Sequence, residues 1–303
     1  MIAGIDALDG LRAMLSHDFI WHAFLGGTFI ALAAGLVGYF VVLRNQVFAG
    51  DALSHMAFTG ALAALAIGID PLLGLFGATV IGGVAMGALG GHARARDVVV
   101  GVVFAWVLGL GVLFLTLYTT SRSTSNGAVG VNVLFGSIYG LSLRQAVIAA
   151  AVGAGAAIAL VAMARPLLFA SVDSDVASAR GLPVRALSLL FLALVGITVA
   201  EAVQAVGALL IFGLLVTPAA IAQRLSAQPF RALALSAAMS VAFLWVGLTL
   251  SYAFQRIPPS FLIVALAFAT YVVVVVRAAL LNAWHRSRRG LLPRVAPAGS
   301  AAH

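Results

Sequence analysis

The chain contains no cysteine and no lysine, and only 9% of its 303 residues are charged. Without cysteine it can form neither a disulfide nor a thiolate metal site. Without lysine it cannot contain a standard Walker A loop, because that loop needs a lysine to reach the nucleotide phosphates. Its basic residues are all arginine, which we attribute to coding bias.

Apolar residues dominate the composition. They make up 63% of the chain, and the mean hydropathy is +1.14, whereas a soluble domain is about half apolar and a quarter charged. Stretches of about 20 apolar residues recur along the whole length, which is typical of transmembrane helices. The sequence therefore predicts an all-α, polytopic membrane bundle in contact with lipid.

The chain divides into an N-terminal segment 1–19, a transmembrane domain 20–281 and a basic cytoplasmic tail 282–303, which we expect to be disordered. We predict eight or nine spans. The apolar stretches are 20–43, 52–68, 71–90, 98–118, 144–164, 186–203, 205–221, 230–254 and 259–281. The region 186–221 is compatible with two short spans or with one span and a broken helix.

The positions of the arginines predict the orientation. With nine spans and the C-terminus inside, 13 arginines fall in inner segments and 4 in outer segments, as the positive-inside rule requires. Eight spans would move the N-terminus inside. The net charge of +8 therefore reflects membrane topology, and we expect no nucleic-acid partner.

One inner loop, 165–185, has helix start and stop signals. Ser171 or Asp173 can cap a helix start, Arg180 follows in the last turn and Gly181 marks the stop. The pattern predicts a helix of about two turns outside the membrane, over residues 172–181. It is either a simple connector or a docking helix for a cytoplasmic partner.

Small residues form a stripe in the third apolar stretch. Gly83, Gly87 and Gly91 share one helical face. Glycines at this spacing let transmembrane backbones approach closely, so we expect a helix-packing face here.

Ionisable side chains inside a bilayer are candidates for function, because burying them costs several kcal/mol unless they are paired or hydrated. Asp51 and His55 lie one helical turn apart on one face. Asp51 is either a helix N-cap or, with His55, a ligand for Zn, Mn or Fe(II). Glu201, the only glutamate, is either interfacial or a further metal ligand.

Four sequence blocks, taken together, resemble a known family. They are LRNQVFAGDALSHMAFTG at 43–60, VNVLFGSIYGLS at 131–142, ARGLPVR at 179–185 and AVQAVGALLIFGLLVTPAAIAQRL at 202–225. In this order they resemble the permeases of metal-type ABC importers, which move zinc, manganese or iron(II) inward. The resemblance covers residues from about 20 to 280.

The resemblance implies a homodimer of all-helical subunits with the type II importer fold, that of the vitamin B12 and siderophore permeases. It further implies cytoplasmic ABC ATPase subunits, an extracellular or periplasmic metal-binding protein, and a place in the bacterial cytoplasmic membrane. No enzymatic activity and no permanently bound cofactor are expected, since the divalent metal is cargo. The loop helix becomes the ATPase-coupling helix. Its residues are Asp173, Asp175, Ala177, Ala179, Arg180 and Gly181.

The family's Asp and His ligands correspond to Asp51 and His55, whereas Glu201 matches no family position. We expect zinc slightly ahead of manganese, and the preference is small because the same ligands suit both metals. Thr59 departs from the family's usual proline and puts the local helix geometry in question. A chelate permease of the same fold and a proton-coupled secondary transporter remain as alternatives. An intramembrane metalloprotease would need an HExxH motif, which the chain lacks.

Overall fold

A computed structural model describes residues 17–89, 93–121, 136–208, 211–254 and 256–290. Every regular element in these ranges is helical, in agreement with the predicted all-α class. In chain order the elements are α1 Asp18–Leu43, α2 Val47–Ile67, α3 Pro71–Leu89, α4 Ala93–Ser121, a 3₁₀ turn Ile138–Gly140, α5 Leu143–Val172, α6 Ser174–Ala179, α7 Val184–Val206, α8 Ile211–Leu215, α9 Thr217–Leu225, α10 Pro229–Ala253 and α11 Pro259–Gly290.

Within the described ranges, eight helices are long and apolar enough to cross a membrane: α1 to α5, α7, α10 and α11. Helix α1 lies at the centre and packs against α5, α7 and α10. Its buried face is rich in alanine and glycine, so neighbouring backbones approach it closely. The core therefore runs along α1, and the outer helices α4 and α11 expose most of their apolar side chains.

Hydrogen bonds between helices show which ends lie together. Arg44 Nη2, just past the end of α1, donates to Ser188 Oγ at the start of α7 (2.7 Å). At the other end of α7, the Ser137 amide donates to the Gln204 carbonyl (3.4 Å). We call the Arg44 end of the bundle the basic end. The corner after α1, the end of α3 and the segment from Ser174 to Arg185 line one cleft there, and the segment before α5 lies at the opposite end.

A ninth crossing of the bundle is broken. Helix α7 ends at the opposite end, yet Gln223 of α9 donates to the Tyr39 carbonyl near the basic end (3.1 Å). The chain between them therefore returns across the bundle through α8 and α9. Of the two possibilities for 186–221, the structure contains one long helix followed by a broken one. The start of α1 and the end of α11 therefore lie at opposite ends of the bundle, as the nine-span prediction requires.

The break has a backbone cause. Pro218 has no N–H to donate to the Leu214 carbonyl, so the helical hydrogen bond is missing there. Ser240 Oγ of α10 donates to that carbonyl instead (3.0 Å). Upstream, Gly207 has a φ of +95°, a conformation that favours glycine and ends α7. The non-helical backbone is tolerated because other helices surround it and supply hydrogen bonds.

Glycines set the closest helix contacts. A Cβ at Gly83 would collide with the Leu192 carbonyl of α7, and one at Gly87 would lie 2.9 Å from a Leu189 methyl group. The predicted stripe thus faces α7 over its first two positions, and Gly91 lies outside the described residues.

Several predicted boundaries differ from the observed ones. Helices α2 and α4 each begin five residues before the predicted starts at 52 and 98. Helix α5 ends eight residues past 164, and α11 ends nine residues past 281. The N-terminal residues 1–16 and the end of the tail, 291–303, lie outside the described residues, as does the 131–135 part of the second motif block.

Candidate functional site

Asp51 and His55 lie inside α2 rather than at its start. The helix begins at Val47, after Gln46 as the capping residue, so Asp51 is its fifth residue. The interpretation of Asp51 as an N-cap is therefore wrong. The corner before the helix closes by other means: Asn45 takes a left-handed φ of 54°, and the Gln46 amide donates to the Val41 carbonyl (2.8 Å).

The two side chains face each other. His55 Nε2 lies 3.8 Å from Asp51 Oδ1, one turn apart on the same face, as the spacing predicts. The His55 side chain is 21% exposed and that of Asp51 is 33% exposed. A divalent cation fits this pair chemically, since imidazole nitrogen and carboxylate oxygen are both ligands for first-row metals.

An aromatic side chain from α4 lies against the histidine. The Phe104 ring makes an edge contact with the His55 ring, with 5.1 Å between centroids. One turn further along α2, Thr59 Oγ1 donates to the Val107 carbonyl of α4 (3.1 Å). Helix α2 runs unbroken through Thr59, so the departure from the family motif leaves the Asp51–His55 spacing helical.

Glu201 lies apart from this pair. It is inside α7, five residues from the end opposite the basic end, whereas Asp51 is one turn from the basic end. At 1.5 Å per residue, the two are about 20 Å apart along the bundle. Glu201 is only 2% exposed, and its Oε2 has no hydrogen-bond partner. Neighbouring helices therefore enclose Glu201 near one end of the bundle, and the structure does not bring it to the Asp51–His55 pair.

The described part of one chain does not complete a metal site. No group of three or more His, Asp or Glu side chains in these ranges is close enough to hold a metal ion together. Two ligands from one copy leave a first-row cation with open coordination positions.

The loop helix is α6, at the basic end. Asp173 Oδ1 accepts hydrogen bonds from the amides of Asp175 (3.1 Å) and Val176 (2.9 Å), so Asp173 rather than Ser171 is the N-cap. Past the last turn, Gly181 takes a φ of +82°, and its amide donates to the Ser178 carbonyl (2.9 Å). These are the start and stop signals that the sequence predicts.

Helix α6 buries one of its side chains. Ala177 is fully buried, while the other side chains of the helix, and Arg180 and Gly181 after it, are exposed. A cleft of about 790 Å³ separates α6 from the ends of the long helices, with Arg44, Gln46, Ser174, Asp175, Arg185 and Ser188 among its lining residues. The helix therefore presents most of its surface at the basic end.

The comparisons with known proteins decide the family. The profile of the ABC 3 transport family matches residues 16–278. The chain belongs to the ABC 3 transport family. It is a multi-pass membrane protein and a transport subunit rather than an enzyme. The resemblance inferred from the four sequence blocks is thereby confirmed.

Two proteins with similar sequences and one with a similar structure illustrate this relationship. The manganese transport system membrane protein MntC of Halalkalibacterium halodurans is 28% identical over 70% of this chain and 72% of its own. A protein of Haemophilus influenzae named "Probable iron transport system membrane protein" is 25% identical over 86% and 97%. The solved structure of PsaBC from Streptococcus pneumoniae in complex with Fab superimposes with a TM-score of 0.76, at 24% identity, over 88% of this chain and 95% of that one. The importer fold is thereby confirmed.

The expected preference for zinc receives no support from these relatives, whose names refer to manganese and iron. Sequence reasoning also missed Phe104 and the Thr59–Val107 hydrogen bond. Both depend on α4 packing alongside α2. The only sequence signal for that packing is the pair of glycines at 101 and 111, which lie on the α4 face that meets Phe48 and Thr59.

Proposed function

We propose that this chain is the membrane-spanning permease of an ATP-driven importer for a divalent metal ion, with Asp51 and His55 as ligands in the transport pathway. The observation that supports it most is the position of this pair. Both side chains are partly exposed on a helix of the bundle rather than enclosed within it. An ionisable pair in contact with lipid would be costly, so it must face water or another protein surface.

A second copy of the chain supplies that surface. Across a two-fold axis it would contribute its own Asp51 and His55, giving up to four oxygen and nitrogen ligands. Such a shell suits Mn(II), Fe(II) or Zn(II). The importer is thus a homodimer, and its metal site is complete only in the dimer.

Manganese is the proposed cargo, with iron(II) next. The chemistry of one carboxylate and one imidazole per chain does not by itself choose among these metals. The names of the relatives favour manganese, and one names iron. Uptake of ⁵⁴Mn, ⁵⁵Fe(II) and ⁶⁵Zn at equal, limiting concentrations would decide, and fastest uptake of zinc would contradict the assignment.

Two kinds of partner follow from the orientation. The exposed helix α6 at the basic end would dock a cytoplasmic ATPase subunit, and its capped ends give it the rigidity that a coupling element needs. An extracellular or periplasmic binding protein would deliver the metal at the opposite end. The ATPase and binding protein are separate chains, and the metal is cargo rather than a resident cofactor.

The test compares three single substitutions. Asp51→Asn keeps the size of the side chain and removes its charge, and His55→Ala removes the imidazole. Both should assemble and insert normally but lose metal uptake. The matched control is Asp70→Asn, because Asp70 only caps α3 by accepting from the Leu72 amide (2.9 Å), and asparagine caps equally well. Wild-type uptake by Asp51→Asn or His55→Ala at limiting metal would refute the proposed site.

A further inference from the structure

The interface between α2 and α4 has three contacts along one face of α2, the first two separated by two turns and the last two by one turn. On α2 these positions are Phe48, His55 and Thr59. Phe104 of α4 contacts the Phe48 ring (5.8 Å between centroids) and the His55 ring (5.1 Å). Three residues after Phe104, Val107 accepts the hydrogen bond of Thr59. The histidine and the threonine are thus held by adjacent turns of the same helix.

Helix α4 depends on this interface for its place in the bundle. Among the described residues it packs mainly against α2 and only slightly against α3. Its other faces are open: Val102, Trp106 and Val112 are each about two-thirds exposed. Whatever fixes α4 against α2 therefore also fixes the position of the Phe104 ring.

The Thr59 hydrogen bond is well placed to do this. Thr59 is 7% exposed, and its hydroxyl lies in a notch left by Gly111, where a Cβ would approach Thr59 Oγ1 to 2.8 Å. The glycine leaves room for the buried hydroxyl, which bonds to a backbone carbonyl of the neighbouring helix. This hydrogen bond fixes how far α4 is shifted along the axis of α2.

We propose that Phe104 is a positioning residue for the metal site and that Thr59 acts through it. The Phe104 ring limits rotation of the His55 imidazole and keeps Nε2 facing Asp51, and the Thr59–Val107 hydrogen bond keeps the ring at the height of His55. Side chains that orient a metal ligand typically change affinity by roughly 10–100-fold when they are lost. This inference rests on the proposed function of Asp51 and His55.

The principal test is the concentration dependence of Mn²⁺ uptake by the assembled importer. Phe104→Leu keeps an apolar side chain but loses the ring edge, and should raise KM about tenfold with little change in the maximal rate. Phe104→Tyr keeps the ring and should restore KM. The matched control is Phe268→Leu on α11, since Phe268 is 65% exposed and α11 packs mainly against α8, α9 and α10.

Thr59 provides an independent arm. Thr59→Val removes the hydroxyl and keeps the shape, and should raise KM by a smaller factor than Phe104→Leu. Thr59→Ser keeps the hydroxyl and should remain near wild type. If Thr59 acts through Phe104, the double variant should be no worse than Phe104→Leu alone, whereas independent effects would multiply.

Equilibrium Mn²⁺ binding to the purified importer, followed by electron paramagnetic resonance, gives a second measurement for any variant with poor transport. Wild-type KM and Mn²⁺ affinity in Phe104→Leu, or failure of tyrosine to restore them, would overturn the positioning role. Full uptake by Asp51→Asn would instead remove the proposed function. Loss of uptake in Asp51→Asn together with an unaffected Phe104→Leu would remove only this inference.

Discussion

The crossing of α2 and α3 offers a sharp test of the packing that supports the site. Gly60 and Gly74 face each other there, and a Cβ on either would collide with the backbone carbonyl oxygen of the other. At Gly77, one turn further along α3, an added Cβ would have no other atom within 4 Å. Gly74→Ala and Gly77→Ala therefore make the same chemical change on one helix in two different surroundings.

The two substitutions are expected to change the free energy of unfolding differently. Overpacking costs about 1–3 kcal/mol, and the upper value applies at Gly74 because a backbone carbonyl cannot rotate away. Alanine recovers up to about 1 kcal/mol of helix propensity at either position. The net effect is therefore about 2 kcal/mol of destabilisation for Gly74→Ala and none, or a small gain, for Gly77→Ala. At roughly 2–4 °C per kcal/mol, Gly74→Ala should lower Tm by about 4–8 °C.

Thermal unfolding in detergent, followed by intrinsic tryptophan fluorescence, measures this difference. Gly74→Ala should also weaken metal uptake, because relief of the collision moves α2 by about 1 Å, the scale on which backbone contacts are lost, and Gly60 is just over one turn from His55. Equal Tm values for the two alanine variants would refute the packing argument.

Three further predictions concern the rest of the fold. The chain contains no cysteine, so a single introduced cysteine reports on its own position. In intact cells an impermeant thiol reagent should not label the Ser174→Cys variant, whereas it should label Ile69→Cys at the opposite end. The reverse pattern would contradict the predicted orientation. Asp173→Ala should remove the α6 cap, which lowers stability by about 1 kcal/mol, and should reduce the coupling of ATP hydrolysis to transport. Asp173→Asn should keep both the cap and the coupling. Equal coupling in the two variants would contradict the role of the cap. Ser240→Ala should leave the Leu214 carbonyl without its donor and lower the free energy of unfolding by about 0.6–1.7 kcal/mol, and an unchanged Tm would show that another donor replaces it.

Much of the fold follows from local patterns that the sequence displays directly. Apolar stretches predict the crossings, since every backbone group in a membrane must be satisfied within a helix. The cap at Asp173 and the stop at Gly181 follow from the chemistry of single residues. Asp51 and His55 were found from helical spacing, and their 3.8 Å separation agrees with it.

Other features depend on contacts between distant parts of the chain. Asp51 has the residue type of a cap, but α2 begins after the left-handed corner at Asn45, five residues before the start that a cap at Asp51 would give. Glu201 lies near a predicted span end, but neighbouring helices bury it. Phe104 resembles any apolar residue of a membrane helix until α4 is placed beside α2. Tertiary packing decided each of these cases, and hydropathy does not encode it.

The broken return segment has a practical consequence for tagging the protein. Counting long apolar helices gives an even number, which would put both chain ends in the same compartment. The extra crossing through α8 and α9 makes the count odd. Green fluorescent protein becomes fluorescent in the cytoplasm, so a fusion to the C-terminus should be fluorescent and a fusion to the N-terminus should not. Affinity tags for intact-cell capture therefore belong before α1, and tags for purification from the cytoplasmic face belong after α11.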